Sequence, residues 1–350
     1  MFSAAAGTNN TLIVRNPKVI ILVFQAFFIG IFAGSFDIGA HTLFVERFDP
    51  SYIPKAFAIS GGLGLLITSV YSFLQSHLRH SLFSLINLIF ISAVVICIRI
   101  GFEIFNHEYL NLAAFVLMGP ITIIVFLGLE ETAGKFFTFR QSKQVYSLLD
   151  KIQLFGIIVI SFSTPLMLKI LGFSVRSLLS IASVSVLLAL IIQVVIVFRY
   201  KTIPSESNTK KDTASHGIFS QLIHSRLARM IFLFVILTVF VSFSIHYLFL
   251  HSVAGKYPNS VFMASFFGVF LGTLMLFSFL FRIFLFGRLV KSNGLKPALL
   301  LSSTIIFLLI VLAVIVANLY GFSASAVGFT IFFLLMSGSK LLSRSLHESA

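Results

Sequence analysis

The chain has 350 residues, 58% of them hydrophobic and only 10% charged, and carries a formal net charge of +14. A water-soluble domain is about a quarter charged, so this composition excludes a soluble enzyme or adaptor and points to an all-α, polytopic membrane protein whose solvent is the lipid bilayer. The single cysteine, Cys97, excludes a disulfide framework or a cysteine-based metal centre, and no cofactor is expected.

Stretches free of Lys, Arg, Asp and Glu cover 19–36, 56–78, 80–98, 109–129, 152–168, 177–198, 230–255 and 257–281. About 20 apolar residues span a bilayer as a helix, so each stretch predicts one crossing. The run over 297–339 is too long for one helix and breaks at the turn-rich cluster from Asn318 to Ser325, which predicts two more. Ten helices are therefore expected. A membrane barrel is excluded, because its strands alternate in character and these runs do not. The first six helices form an N-terminal bundle over residues 1–200. A polar stretch over 201–228, with Ser-Glu-Ser-Asn-Thr-Lys-Lys-Asp at 205–212, reads as a cytoplasmic linker. Within it, 217–227 has the apolar spacing of a helix lying on the membrane surface. The remaining segment, 229–350, holds only four predicted helices.

The positive charge orients the chain and does not recruit nucleic acid. Most of the 25 Lys and Arg fall in alternate loops: Arg15 and Lys18, Arg79, Lys135 to Lys151, Arg199 to Arg229, Arg282 to Lys296, and Lys340 with Arg344. Such an excess marks the cytoplasmic face, so a cytoplasmic N-terminus in an inner-membrane protein is expected. The partners implied are the lipid bilayer and a small solute.

Shifted by 205 residues, the chain matches itself. His41-Thr-Leu-Phe44 falls on His246-Tyr-Leu-Phe249, and the 28 positions from 41 to 68 hold 8 identities. The shift spans six predicted crossings, so both copies face the same way. Parallel repetition of a six-helix bundle is the plan of the major facilitator architecture, whose substrate site lies at the membrane midplane. That plan calls for two further helices, 11 and 12; a truncated gene product is the expectation, with a complete ten-helix protein as the rival.

Gly30-Ile-Phe-Ala-Gly34 in helix 1 has the small-xxx-small spacing that lets helices approach closely, and Ser60-Gly-Gly-Leu-Gly64 opens helix 2 with bare backbone. Pro120 and Pro165 should kink or break helices 4 and 5. The 43 Phe residues are expected to coat lipid-facing surfaces.

Ionisable groups inside a membrane are costly, and so they are the candidates for chemistry. Asp37 and His41 lie one turn apart on one face of helix 1. A proton relay or cation site would use such a pair, with His246 as its repeat counterpart; counted along the helix, a solvated cap at the outer interface is the preferred alternative. Glu130 and Glu131 lead a dense polar segment that continues through Lys135, Arg140, Lys143 and Tyr146. If helix 4 reaches Phe139, the two acids sit about two turns below the cytoplasmic surface. One reading makes them coupling or gating acids, with the basic groups meeting an anionic substrate. The other is an ordinary basic cytoplasmic loop. Arg99 is expected to snorkel from the end of helix 3. No Walker loop, dinucleotide fingerprint, HExxH or nucleophile elbow is present, so no enzymatic activity is expected.

Phe36-Asp-Ile-Gly-Ala-His-Thr-Leu-Phe44, Ser60-Gly-Gly-Leu-Gly64 and Arg140-Gln-Ser-Lys-Gln-Val-Tyr-Ser-Leu-Leu149 resemble bacterial relatives of the ATP/ADP translocases, within the major facilitator superfamily. Gln141-Ser-Lys143-Gln-Val-Tyr146 keeps the Lys and Tyr of the translocases' Glu-Ala-Lys-Arg-Phe-Tyr type segment but lacks its acid and Arg. Ser345-Leu-His-Glu-Ser-Ala350 is similar to their Ser-Leu-Phe-Asp-Pro-Thr type segment. The resemblance implies a helical carrier with a nucleotide-like or other anionic solute. In that reading Lys135, Arg140, Lys143 and Tyr146 line the substrate pathway, and Asp37, His41, Glu130, Glu131 and His246 serve coupling or gating. A non-transporting membrane anchor or sensor, whose soluble C-terminal domain is absent from this chain, is the rival expectation.

Overall fold

The computed structural model describes residues 16–77, 80–105, 107–134, 136–137, 139–200, 226–281 and 315. Among them it places eight α-helices: α1 (Pro17–Arg47), α2 (Ile53–His77), α3 (His80–Ile104), α4 (Glu108–Gly134), α5 (Phe139–Lys169), α6 (Arg176–Arg199), α7 (Arg226–Lys256) and α8 (Ser260–Phe281). These follow the first eight predicted crossings in order. Helices α1 to α6 and α8 are long and apolar enough to cross a membrane, and the protein is an integral membrane protein. The helical form follows from the solvent: lipid offers no hydrogen bonds, so each segment must satisfy its own backbone. The predicted crossings over 297–339 and the surface helix at 217–227 lie outside the described residues.

Short polar side chains mark where helices begin. Asn16 accepts from the Lys18 amide at 3.1 Å with Pro17 at the first position of α1, and Asn259 accepts from the Val261 amide at 2.9 Å to start α8. Asp49 caps a single 3-10 turn at Pro50–Tyr52 that leads into α2. Between α5 and α6 the chain reverses at Gly172, whose φ of 68° suits a residue without a Cβ.

Two compact units divide the chain. One comprises Met1–Ile203 and Lys256–Gly287, the other Pro204–Gly255 and Arg288–Ala350. Of the first, α1 to α6 and α8 are described; of the second, α7. In the first unit α1 is central, packing on α4, α5, α6 and α8, whereas α2 packs mainly on α4.

The closest approach is that of α1 to α5. A Cβ on Gly30 would run into the Gln153 carbonyl oxygen, and one on Gly156 would lie 2.5 Å from the Phe27 carbonyl oxygen. Gly34, one turn further, faces Ile157 and Ile160. The small-xxx-small spacing is thus a packing device, in which backbones touch because side chains are absent. Helix α8 meets α5 in the same manner: Gly268 lies against the Ser161 carbonyl and Thr164, and Gly272 against the Phe162 ring.

Three expectations need correction. Pro120 and Pro165 do not break α4 and α5, which continue through them as helix; prolines are tolerated inside membrane helices where neighbouring groups satisfy the freed backbone. The phenylalanines do not merely coat the exterior, because Phe32, Phe36, Phe44, Phe83, Phe115 and Phe249 are fully buried. Phe44 stacks on Phe115 at 4.2 Å, and these rings fill the space between helices in the absence of tryptophan. Arg99 does not simply snorkel: its guanidinium pairs with Glu103 at 2.6 Å and donates to the Ser180 hydroxyl, tying α3 to α6.

At the opposite end, the Lys18 ammonium lies over the rings of Phe136 and Tyr200, 5.3 and 5.7 Å from their centroids. This joins the start of α1, the α4–α5 turn and the end of α6.

The glycine contacts give a sharp contrast. Gly156→Leu should destabilise the protein by about 3 kcal/mol through overpacking against backbone. Gly61→Ala, where a Cβ meets nothing within 4 Å, should shift stability by less than about 1 kcal/mol. Thermal melts of the purified variants in detergent check both; equal losses would contradict the packing.

Candidate functional site

Helix α4 stops at Gly134, one turn earlier than the sequence suggests, which brings Glu130 and Glu131 into its last turn. Adjacent residues on a helix point about 100° apart, so the two acids cannot share a setting. Glu130 is exposed and Glu131 half-buried.

Both acids line a cavity of about 390 Å³ formed by Thr68, Tyr71, Ser72 and Gln75 of α2, Leu127 of α4, and Tyr146 of α5. The Tyr71 hydroxyl donates to Glu131 Oε2 at 3.2 Å. The same ring packs edge-on against Phe83 of α3 at 4.8 Å, so the tyrosine is held from behind while its hydroxyl holds the acid. The other carboxylate oxygen, Oε1, is buried. Tyr146 reaches the cavity because Gly134 leaves room: a Cβ there would lie 2.5 Å from the Tyr146 hydroxyl oxygen. Such a lining offers hydroxyls, an amide and carboxylates on an otherwise apolar scaffold. It can hold a small polar solute by hydrogen bonds, and it sets an ionisable acid where its charge state matters.

The structure thus brings together Glu130, Glu131 and Tyr146. Of the basic candidates, Arg140 and Lys143 sit on the first two turns of α5, leading to Tyr146, with only their backbone described; Lys135 lies outside the described residues.

Asp37 and His41 form a separate pair and do not line this cavity. His41 is buried, with Nδ1 2.8 Å from the Asp37 carbonyl oxygen and 3.5 Å from its Oδ1. Its ring packs edge-on to Phe115 of α4 at 5.3 Å and lies 5.8 Å from Phe267 of α8. His41 is thus packed between helices and tied to its own helix, while the Asp37 side chain is partly exposed. His246 lies half-buried on α7, in the second unit.

Sequence reasoning missed Tyr71, Thr68, Ser72 and Gln75, which are ordinary residues of an apolar helix until folding sets α2 beside α4. It also missed a buried polar network. Gln25 of α1 donates to Gln193 Oε1 of α6 at 2.7 Å, and Gln193 Nε2 donates to Ser84 of α3 at 2.7 Å and to Thr132 of α4 at 3.3 Å. Ser84 and Thr132 oxygens are 3.0 Å apart. A signal existed: Gln25 and Gln193 are the sole amide side chains in the runs 19–36 and 177–198, and a side-chain amide in lipid needs a partner on another helix.

Gly134→Ala should push the Tyr146 hydroxyl aside at a cost of about 1 kcal/mol. Tyr146→Phe, which removes the atom in the way, should recover most of that loss in the double variant. A double-mutant cycle of melting temperatures checks this; additive losses would refute the contact.

No sequence family matches the chain, and no curated protein resembles it in sequence. Solved structures do resemble it in fold. A point mutant of the nucleoside transporter NupG superposes with a TM-score of 0.65 at 13% identity, covering 95% of this chain and 81% of that one. The unmutated nucleoside transporter NupG gives 0.63 at 15%, over 95% and 80%. A D-xylose-proton symporter gives 0.54 at 12%, over 95% and 85%. The chain has the major-facilitator-like helical membrane fold that these proteins share.

Proposed function

We propose that this protein is a secondary transporter of a small polar solute, working by alternating access, with the cavity between α2, α4 and α5 as part of its pathway. The carrying observation is a cavity between membrane-length apolar helices that is lined by hydroxyls, an amide and a tyrosine-held carboxylate. Ionisable groups on membrane-length helices are costly to keep unless they face a cavity or a partner, and there they mark solute or ion pathways. The fold likeness to two NupG structures and to a proton symporter supports the same class. Glu131 is the proposed coupling acid, oriented by Tyr71.

The described lining, rich in hydroxyls and acids, favours an uncharged hydroxylated solute of the nucleoside kind. A nucleotide-like anion is the second reading, favoured by Lys135, Arg140 and Lys143 on the segment leading to Tyr146 and by the short motifs that resemble the ATP/ADP translocases. The bundles over 1–200 and 229–350, joined by the linker 201–228, would form the carrier in a bacterial inner membrane with a cytoplasmic N-terminus.

Reconstituted protein should accumulate labelled uridine when a pH gradient is imposed, and should take up AMP much more slowly. Glu131→Gln should remove the gradient dependence while leaving downhill exchange within about tenfold of the parent, since a neutral amide can keep a hydrogen bond to Tyr71 but cannot cycle a proton. Absence of flux for uridine, AMP and xylose alike would overturn the transporter reading. Unchanged gradient dependence in Glu131→Gln would remove that residue from the coupling role.

A further inference from the structure

We propose that Gln193, on α6, is a positioning residue for the Glu131 carboxylate, acting through the polar network inside the first unit. The inference rests on the reading of the α2–α4–α5 cavity as the solute site. Gln25, Gln193, Ser84 and Thr132 are each at most 4% exposed, so their hydrogen bonds have no competing water. Gln193 is the hub. Its Oε1 accepts from Gln25 of α1, and its Nε2 donates to Ser84 of α3 and Thr132 of α4. Thr132 in turn donates to the Gly128 carbonyl one turn back.

What raises this above ordinary helix adhesion is adjacency in the chain. Thr132 directly follows Glu131, and Ser84 directly follows Phe83. Helix α3 therefore reaches the last turn of α4 by two neighbouring routes. One runs from Ser84 to Thr132; the other runs from Phe83 through the Tyr71 ring to Glu131. Each fixes the rotation of α4 about its axis, and that rotation decides whether Glu131 faces the cavity wall. The amide of Gln193 sets the first route by donating to both of its oxygens. Among the described residues the hydrogen bonds of Gln193 run to Gln25, Ser84 and Thr132 and not to the carboxylate, so the effect travels through the orientation of the helix end.

The test reads position rather than uptake. In a Cys97→Ser background, Glu131→Cys and, separately, Ser72→Cys are reconstituted in liposomes and alkylated with a water-soluble maleimide. Adding Gln193→Leu should change the alkylation rate at position 131 by about fivefold, the ratio that corresponds to about 1 kcal/mol, the net worth of one buried hydrogen bond. The rate at position 72, on the facing wall but outside the network, should stay within about twofold. Gln25→Leu, which spares both Nε2 donations, should shift position 131 less than Gln193→Leu does. If Gln193→Leu does not reconstitute, Thr132→Val keeps the shape, removes the hydroxyl and should give the same selective shift. No change at position 131, or equal changes at 131 and 72, overturns the proposal. A Gln25→Leu effect as large as that of Gln193→Leu does so as well. Because reactivity is measured without a solute, this outcome is independent of whether Glu131→Gln alters transport.

Discussion

The first unit depends on one backbone contact, the crossing of α1 and α5 at Gly30 and Gly156. In lipid there is no hydrophobic gain from joining two apolar helices, so association must come from close packing and from hydrogen bonds between helices. Two glycines on facing surfaces let carbonyls and Cα atoms meet where side chains would stand. Gly34 continues the contact toward Ile157 and Ile160. Helix α1, flanked on several sides, then becomes the axis on which α4, α6 and α8 are arranged. Lengthening any of these glycines would move α1, and with it the network that begins at Gln25.

Polar side chains divide into two kinds. Many hydroxyls return to their own helix: Thr42 to the Ile38 carbonyl, Ser92 to that of Leu88, Thr122 to that of Met118, and Thr164 to that of Ile160. These are satisfied locally and say nothing about neighbours. A smaller set bridges helices, including Ser60 to the Val116 carbonyl, Asn87 to the Ile124 carbonyl, Gln193 to Ser84, and Tyr71 to Glu131. The second kind fixes rotation and register. It gathers on α4, which holds the acids.

Much of the architecture was legible in the sequence because apolar runs between charges have a length that the bilayer dictates. The spacing of Gly30 and Gly34 was readable for the same reason, as a local pattern with a local meaning. The cavity was legible only in part. Glu130, Glu131 and Tyr146 belong to one polar segment and are visible as such, yet Tyr71 lies 60 residues away from Glu131 and is chosen by the pairing of α2 with α4. The end of α4 was misplaced because nothing polar or glycine-specific distinguishes Gly134 from a helix-interior glycine until Tyr146 is seen to need its space. The phenylalanines misled in the opposite way: composition counts them but does not say which stack inside. The two lone amides carried information that hydropathy averaging discards.

The clasp at Lys18 has a consequence of its own. Its ammonium is held by two aromatic faces, an attraction between a charge and a quadrupole that fades within a few ångströms. Dissolved ions weaken interactions that reach across about 10 Å of water, but have little purchase on one so short. The junction of α1, the α4–α5 turn and α6 therefore keeps its grip across a wide range of ionic strength, where a carboxylate in place of the rings would have made it sensitive to the salt around it.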